Sequence, residues 1–129
     1  MGYQVLLITG SQNTRWGTIL NQSIEDYGDL LIVTDADYGR SLSRQPFDLI
    51  IIDASEVAET TQVVRETRRQ QPDSRVIVVT ASPTWQRARD AMQAGATDYL
   101  RKTQNVGELH RYLRTQFPGE RTLPPKDIP

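Results

Sequence analysis

Cysteine is missing from all 129 residues, which excludes disulfides and thiolate metal sites and fits a reducing compartment. Histidine occurs once, as His110, so histidine–cysteine metal spacings are excluded as well, and no serine–histidine–acid set is recognised. Beside Arg111, that residue reads as a solvated helix-face group. Neither sign of charge dominates: 15 basic and 16 acidic residues leave a net charge of -1. No basic surface therefore announces nucleic acid, and no acidic run announces disorder. No apolar run approaches the roughly 20 residues of a membrane span, the N-terminus lacks a charged-then-apolar signal pattern, and no phosphate-binding P-loop occurs. What remains is an expected cytoplasmic, single-domain protein without enzymatic chemistry of its own, touching neither membrane nor DNA directly.

What the chain does have is a set of short, continuous apolar runs. FDLIIIDAS, Phe47–Ser55, carries four large apolar residues straight into Asp53; VLLI lies within Gln4–Thr9 and VIVV within Arg75–Thr80. Runs without alternation are strands covered on both faces, as in a parallel sheet flanked by helices. Leu30–Thr34 and the short Thr97–Arg101 complete five strands. Between them, Trp16, Ile19, Leu20, Ile24 and Tyr27 recur at helical spacing up to Gly28. A short helix around Arg40–Arg44 must end before Pro46. Val57–Gln70 gives a thin-striped helix, in which the arginines at 65, 68 and 69 read as solvated. Ser82-Pro83 predicts a cap and first helical residue, with Trp85, Ala88 and Met92 as that helix's core stripe and Gly95 as its end. Asn105 and Glu108 resemble a capping box opening a last helix that buries Leu109, Leu113 and Phe117. Five strand–helix units predict an α/β fold, a doubly wound five-stranded parallel sheet of order 2-1-3-4-5 with helices on both faces. Residues 1–117 form the expected domain, and the proline-rich 118–129 a tail or linker.

In such a sheet the functional groups gather beyond the carboxyl ends of the strands. Those ends present Thr9-Gly10-Ser11, Asp53, Thr80-Ala81 and Lys102. Taken alone, Asp53 also reads as a strand-ending turn residue. With a hydroxyl and an ammonium beside it, it suits the acceptance of a phosphoryl group: carboxylate as nucleophile, lysine as point cation, threonine as hydrogen-bond donor. Lys102 is one of two lysines beside thirteen arginines, which sets its position at a strand end apart from casual surface charge.

FDLIIID with Asp53, VIVVTAS with Thr80, and AMQAGATDYLRKT with Tyr99 and Lys102 occur in an order and spacing that resemble the receiver domain of two-component response regulators, over Gln4 to Phe117. The resemblance implies the flavodoxin-like (CheY-like) fold and transient phosphorylation of Asp53 by a sensor histidine kinase or phosphotransfer protein. It further implies phosphoryl contacts from Thr80, Ala81 and Lys102, a switch role for the Tyr99 ring, and output or homodimer formation through helix 4, strand 5 and helix 5. In that dimer Asp98 and the arginines of the last helix would pair across a two-fold axis.

The departures are specific. Receivers carry two adjacent acids after strand one that hold Mg2+, whereas this chain has Thr9 and Gly10; magnesium prefers carboxylate and water oxygens, so the expected ion binding is impaired. The backbone carbonyl of Ser55 is the one remaining ligand position, and Asp35 and Asp37 read as solvated turn residues. Two outcomes follow: slow, weakly metal-dependent phosphorylation, or a pseudo-receiver that acts through protein contacts with Asp53 unmodified. A flavodoxin-like FMN site at Thr9–Thr14, TGSQNT, with Trp85 as a stacking ring, would leave Asp53 and Lys102 unexplained.

Overall fold

VLLI, LIII and VIVV lie side by side in the middle of one parallel sheet. In the computed structural model, which describes residues 2–117, the elements alternate as β1 (Tyr3–Thr9), α1 (Arg15–Ile24), β2 (Gly28–Thr34), α2 (Tyr38–Arg44), β3 (Leu49–Asp53), α3 (Thr60–Gln70), β4 (Arg75–Thr80), α4 (Trp85–Ala94), β5 (Asp98–Arg101) and α5 (Val106–Gln116). The strand order is β2-β1-β3-β4-β5. The expected tail, 118–129, lies outside the described residues. None of the described helices is long and apolar enough to cross a membrane.

Alternation within each strand feeds two cores. Val5, Leu7, Leu49, Ile51, Ile77 and Val79 point toward α1 and α5, where Trp16, Leu20, Leu109 and Leu113 meet them. Leu6, Ile8, Ile50, Ile52, Val76 and Val78 point the other way, toward Leu42, Val63, Val64 and Ala91 of α2, α3 and α4. The central strands β1 and β3 are thus buried on both faces, as their unbroken apolar runs predict. β2 is an edge strand and only half covered, with Leu31 44% exposed.

Several expectations need correction. Gly28 does not end α1; it opens β2, because a Cβ there would come within 1.9 Å of the Tyr3 carbonyl oxygen, a strand approach only glycine allows. Ser82-Pro83 is not the helix start: the Thr84 hydroxyl caps α4 by accepting from the Arg87 N–H at 3.2 Å. α3 begins at Thr60, three residues later than read, with Val57 buried in the preceding loop. Most plainly, Trp85 and Met92 are not core residues. Trp85 is 67% exposed and Met92 46%, and Ala91 is the buried residue of α4. Helical spacing alone could not tell which face of α4 meets the sheet. Trp85→Ala is therefore expected to change stability by less than about 0.5 kcal/mol in urea unfolding, against about 3–5 kcal/mol for a buried tryptophan. A loss in the larger range would put Trp85 back in the core.

Arg68 also departs from its expected solvated role. Its guanidinium donates to the carbonyls of Gly95 (3.0 Å), Pro72 (2.8 Å) and Ser74 (2.7 Å) and to the Thr97 hydroxyl (3.2 Å). It lies over Gly95, whose φ of 122° ends α4 in the conformation that favours glycine. One side chain thereby fastens the end of α3 to the α4–β5 turn.

Candidate functional site

β3 delivers Asp53 to the carboxyl edge of the sheet, where it pairs in register with Val79 of β4. Its carboxylate is fully buried. A buried carboxylate must be compensated, and three neighbours do so. Lys102 Nζ lies 2.8 Å from Oδ2, the Thr9 hydroxyl donates to the same oxygen at 3.4 Å, and the Ser55 backbone N–H donates to Oδ1 at 3.1 Å. Lys102, just past β5, is brought there because its own N–H continues the ladder to the Thr80 carbonyl at 2.8 Å.

Lys102 is steadied from the far side by Trp16, a residue that the sequence marks only as helix core. The buried Trp16 indole donates from Nε1 to the Thr103 carbonyl at 2.7 Å, and Lys102 Nζ sits 5.4 Å from its ring. No sequence signal links residues 16 and 103; only the packing of α1 beside the β5–α5 loop does. That loop is fixed again at Thr103, whose hydroxyl donates to Glu108 Oε1 at 2.7 Å and accepts from the Asn105 N–H at 3.2 Å. The capping box is thus present in relayed form: Asn105 accepts from the Glu108 N–H at 2.9 Å, and Glu108 reaches back through Thr103.

The other expected site residues stand around the same crevice. Thr80 is buried, and its hydroxyl accepts from the Ser82 N–H at 3.2 Å. The Ala81 N–H donates to the Ser55 hydroxyl at 2.8 Å, while the Ala81 carbonyl accepts from Arg101 at 3.3 Å. Thr80, Tyr99, Ala54, Val57, Arg87 and Asp90 line a cleft of about 360 Å³ between the β3–α3 loop and α4. The Tyr99 hydroxyl is buried with no hydrogen-bond partner among the described residues.

Thr9 and Gly10 close the remaining side. A Cβ at Gly10 would lie 2.9 Å from the Glu56 backbone carbonyl oxygen and 3.3 Å from Glu56 Oε1, so the β3–α3 loop already fills the space a side chain at position 10 would need. Among the described residues no group of three His, Asp or Glu side chains is placed to hold a metal ion.

Away from the crevice, two expected surface groups are engaged. Asp98 accepts from the Tyr112 hydroxyl at 2.9 Å and from its neighbour's N–H, on Tyr99, at 2.9 Å. Burial, reinforced by that bond to Asp98, holds the Tyr112 hydroxyl well above the usual phenol range. His110 is not simply solvated: its Nε2 lies 3.1 Å from Asp26 Oδ2, and its ring lies 4.9 Å from that of Tyr27.

A family model described as the response regulator receiver domain matches residues 10–114. Response regulator GacA of Pseudomonas aeruginosa is 28% identical over 128 residues, which span 95% of this chain and 59% of that protein. The alginate biosynthesis transcriptional regulatory protein AlgB of the same organism is 45% identical over 69 residues, 53% of this chain and 15% of that one. The chain therefore spans less than two thirds of the length of either relative. A response regulator from Thermotoga maritima superposes with a TM-score of 0.80 at 20% identity, over 90% of this chain and 98% of that one, a likeness that speaks for the fold.

Proposed function

Because the chain belongs to the response regulator receiver domain family, we propose that it is a two-component signalling receiver whose Asp53 accepts a phosphoryl group from phosphohistidine on a sensor kinase or phosphotransfer protein. The observation that carries this reading is the Asp53–Lys102 pair, 2.8 Å apart at the carboxyl edge of the sheet. In the transfer, an Asp53 carboxylate oxygen forms the new P–O bond and the P–N bond breaks. The imidazole takes the electron pair and a proton. Lys102 offsets the charge as a point cation, and the Thr80 hydroxyl and Ala81 N–H donate to phosphoryl oxygens.

Magnesium, which receivers use to neutralise the phosphoryl group, meets a depleted donor set: Thr9 supplies a neutral hydroxyl that is already bonded to Asp53, and the carboxylate beside Gly10 is that of Glu56. Transfer without that charge neutralisation is slow. A second reading, a pseudo-receiver that works through protein contacts alone, is favoured by one observation: both oxygens of Asp53 are bonded within the protein and the residue has no exposure.

Incubation with acetyl phosphate, with and without magnesium, followed by intact-protein mass measurement separates the two. The expected result is a slow phosphate-sized gain, nearly independent of magnesium and abolished by Asp53→Ala. Wild-type protein that stays unmodified would establish the pseudo-receiver reading instead.

For output, the face formed by α4, β5 and α5 is the proposed partner or homodimer surface. Trp85 and Met92 stand exposed on α4, with Arg101 exposed on β5 and Arg111 and Arg114 on α5. In that reading Asp98 pairs with the arginines of α5 across a two-fold axis; the Tyr112 hydroxyl takes one acceptor position of Oδ2 and leaves the carboxylate others.

A further inference from the structure

Three segments meet over Asp53 through one small side chain. Ser55 uses its backbone N–H on Asp53 Oδ1 (3.1 Å) and offers its hydroxyl oxygen to the Ala81 N–H (2.8 Å). Ala81 in turn holds Arg101 of β5 by its carbonyl at 3.3 Å, and the Thr84 cap of α4 follows three residues later. A continuous chain of bonds therefore runs from the carboxylate through Ser55 and Ala81 to the end of β5. An N–H has one hydrogen to give, so the Ala81 amide cannot serve Ser55 and an anion on Asp53 fully at once.

We propose that the Ser55 hydroxyl is a latch: in the unmodified protein it ties the β3–α3 loop to the β4–α4 loop by occupying the Ala81 amide, and a phosphoryl group on Asp53 releases the tie by competing for that amide. The second half rests on the acceptor reading of Asp53; the first half does not. The latch makes Ser55 a positioning residue with two effects. It holds the resting crevice closed, which slows acceptance, and it passes occupancy of Asp53 to the segment that leads into α4. Release loosens Ser82–Thr84 at the base of the helix that carries exposed Trp85.

The two halves are tested separately on the full chain, with wild type and Ser55→Ala. Ser55 is exposed and its backbone bond to Asp53 does not need the hydroxyl, so the variant is expected to fold normally. Amide-resolved hydrogen exchange without any phosphodonor should show the Ala81 amide exchanging about two- to tenfold faster in Ser55→Ala, the change expected for loss of one neutral hydrogen bond. The Lys102 amide, bonded to the Thr80 carbonyl, should be unchanged. An unchanged Ala81 amide overturns the latch, and so does equal acceleration at Ala81 and Lys102, which would mean general loosening.

With acetyl phosphate, Ser55→Ala should then gain a phosphate-sized mass about two- to tenfold faster than wild type, the same hydrogen bond now removed from the barrier. Equal non-zero rates overturn the competition. If neither protein gains mass, the acceptor reading of Asp53 fails and takes the competition with it, while the latch between the loops stands or falls on the exchange result alone.

Discussion

Lys102→Ala is expected to cost about 3 kcal/mol of folding stability, because removing one partner of a buried ion pair leaves the other charge uncompensated. Asp53 has no solvent exposure and Lys102 is only 15% exposed, so the pair is largely shielded from water. The value sits at the lower end of the range for such truncations, since the Thr9 hydroxyl and the Ser55 N–H still reach the carboxylate. Urea unfolding measures it as a lower midpoint with an unchanged slope. In the Lys102→Ala background, Asp53→Asn should recover more than half of the loss by removing the buried charge. A cost below about 1 kcal/mol, typical of solvent-exposed pairs, would mean that Asp53 is solvated and that the closed site described above is wrong.

Arg68→Ala is expected to cost a similar amount, about 3 kcal/mol, although nothing in its sequence neighbourhood separates Arg68 from Arg65 or Arg69. Hydrogen bonds from a charged donor contribute about 1.5–3 kcal/mol each and do not add fully. Arg68 gives five to the ends of α3, β4 and the α4–β5 turn. Truncation strips donors from the carbonyls of Gly95, Pro72 and Ser74 and opens space above Gly95, where Arg68 Cγ would lie 2.9 Å from an added Cβ. Arg65, exposed, is the control: Arg65→Ala should stay within about 0.5 kcal/mol. Equal costs for the two would refute the fastening role.

What could be read from the chain, and what could not, divides along the range of the forces involved. Continuous apolar runs at Val5–Ile8, Leu49–Ile52 and Val76–Val79 foretell two-sided strands because burial on both faces leaves no polar position to alternate with. α4 departs from its expected core stripe for a related reason. Its apolar residues fall at helical spacing, but a sparse stripe has more than one way to face the sheet, and Ala91 packs inward while Trp85 stays out. Cap and turn residues failed where two neighbours could serve: Ser82 and Thr84 are both competent caps, and the backbone path out of β4 selects Thr84.

By itself, the sequence determined the parallel α/β sheet, its order and the residues that its strands carry to one edge, since these follow from periodicity and from the short right-handed connections that link parallel strands. Tertiary structure alone decided how those residues use one another. It sets the Thr9 hydroxyl on Asp53, the Ser55 hydroxyl on the Ala81 amide, the Trp16 indole behind Lys102 and the Arg68 guanidinium over Gly95. Each pair is 26 to 87 residues apart in the chain for those four bonds. Hydrogen bonds of about 3 Å depend on positions fixed by the whole packed core, and local pattern carries no record of them.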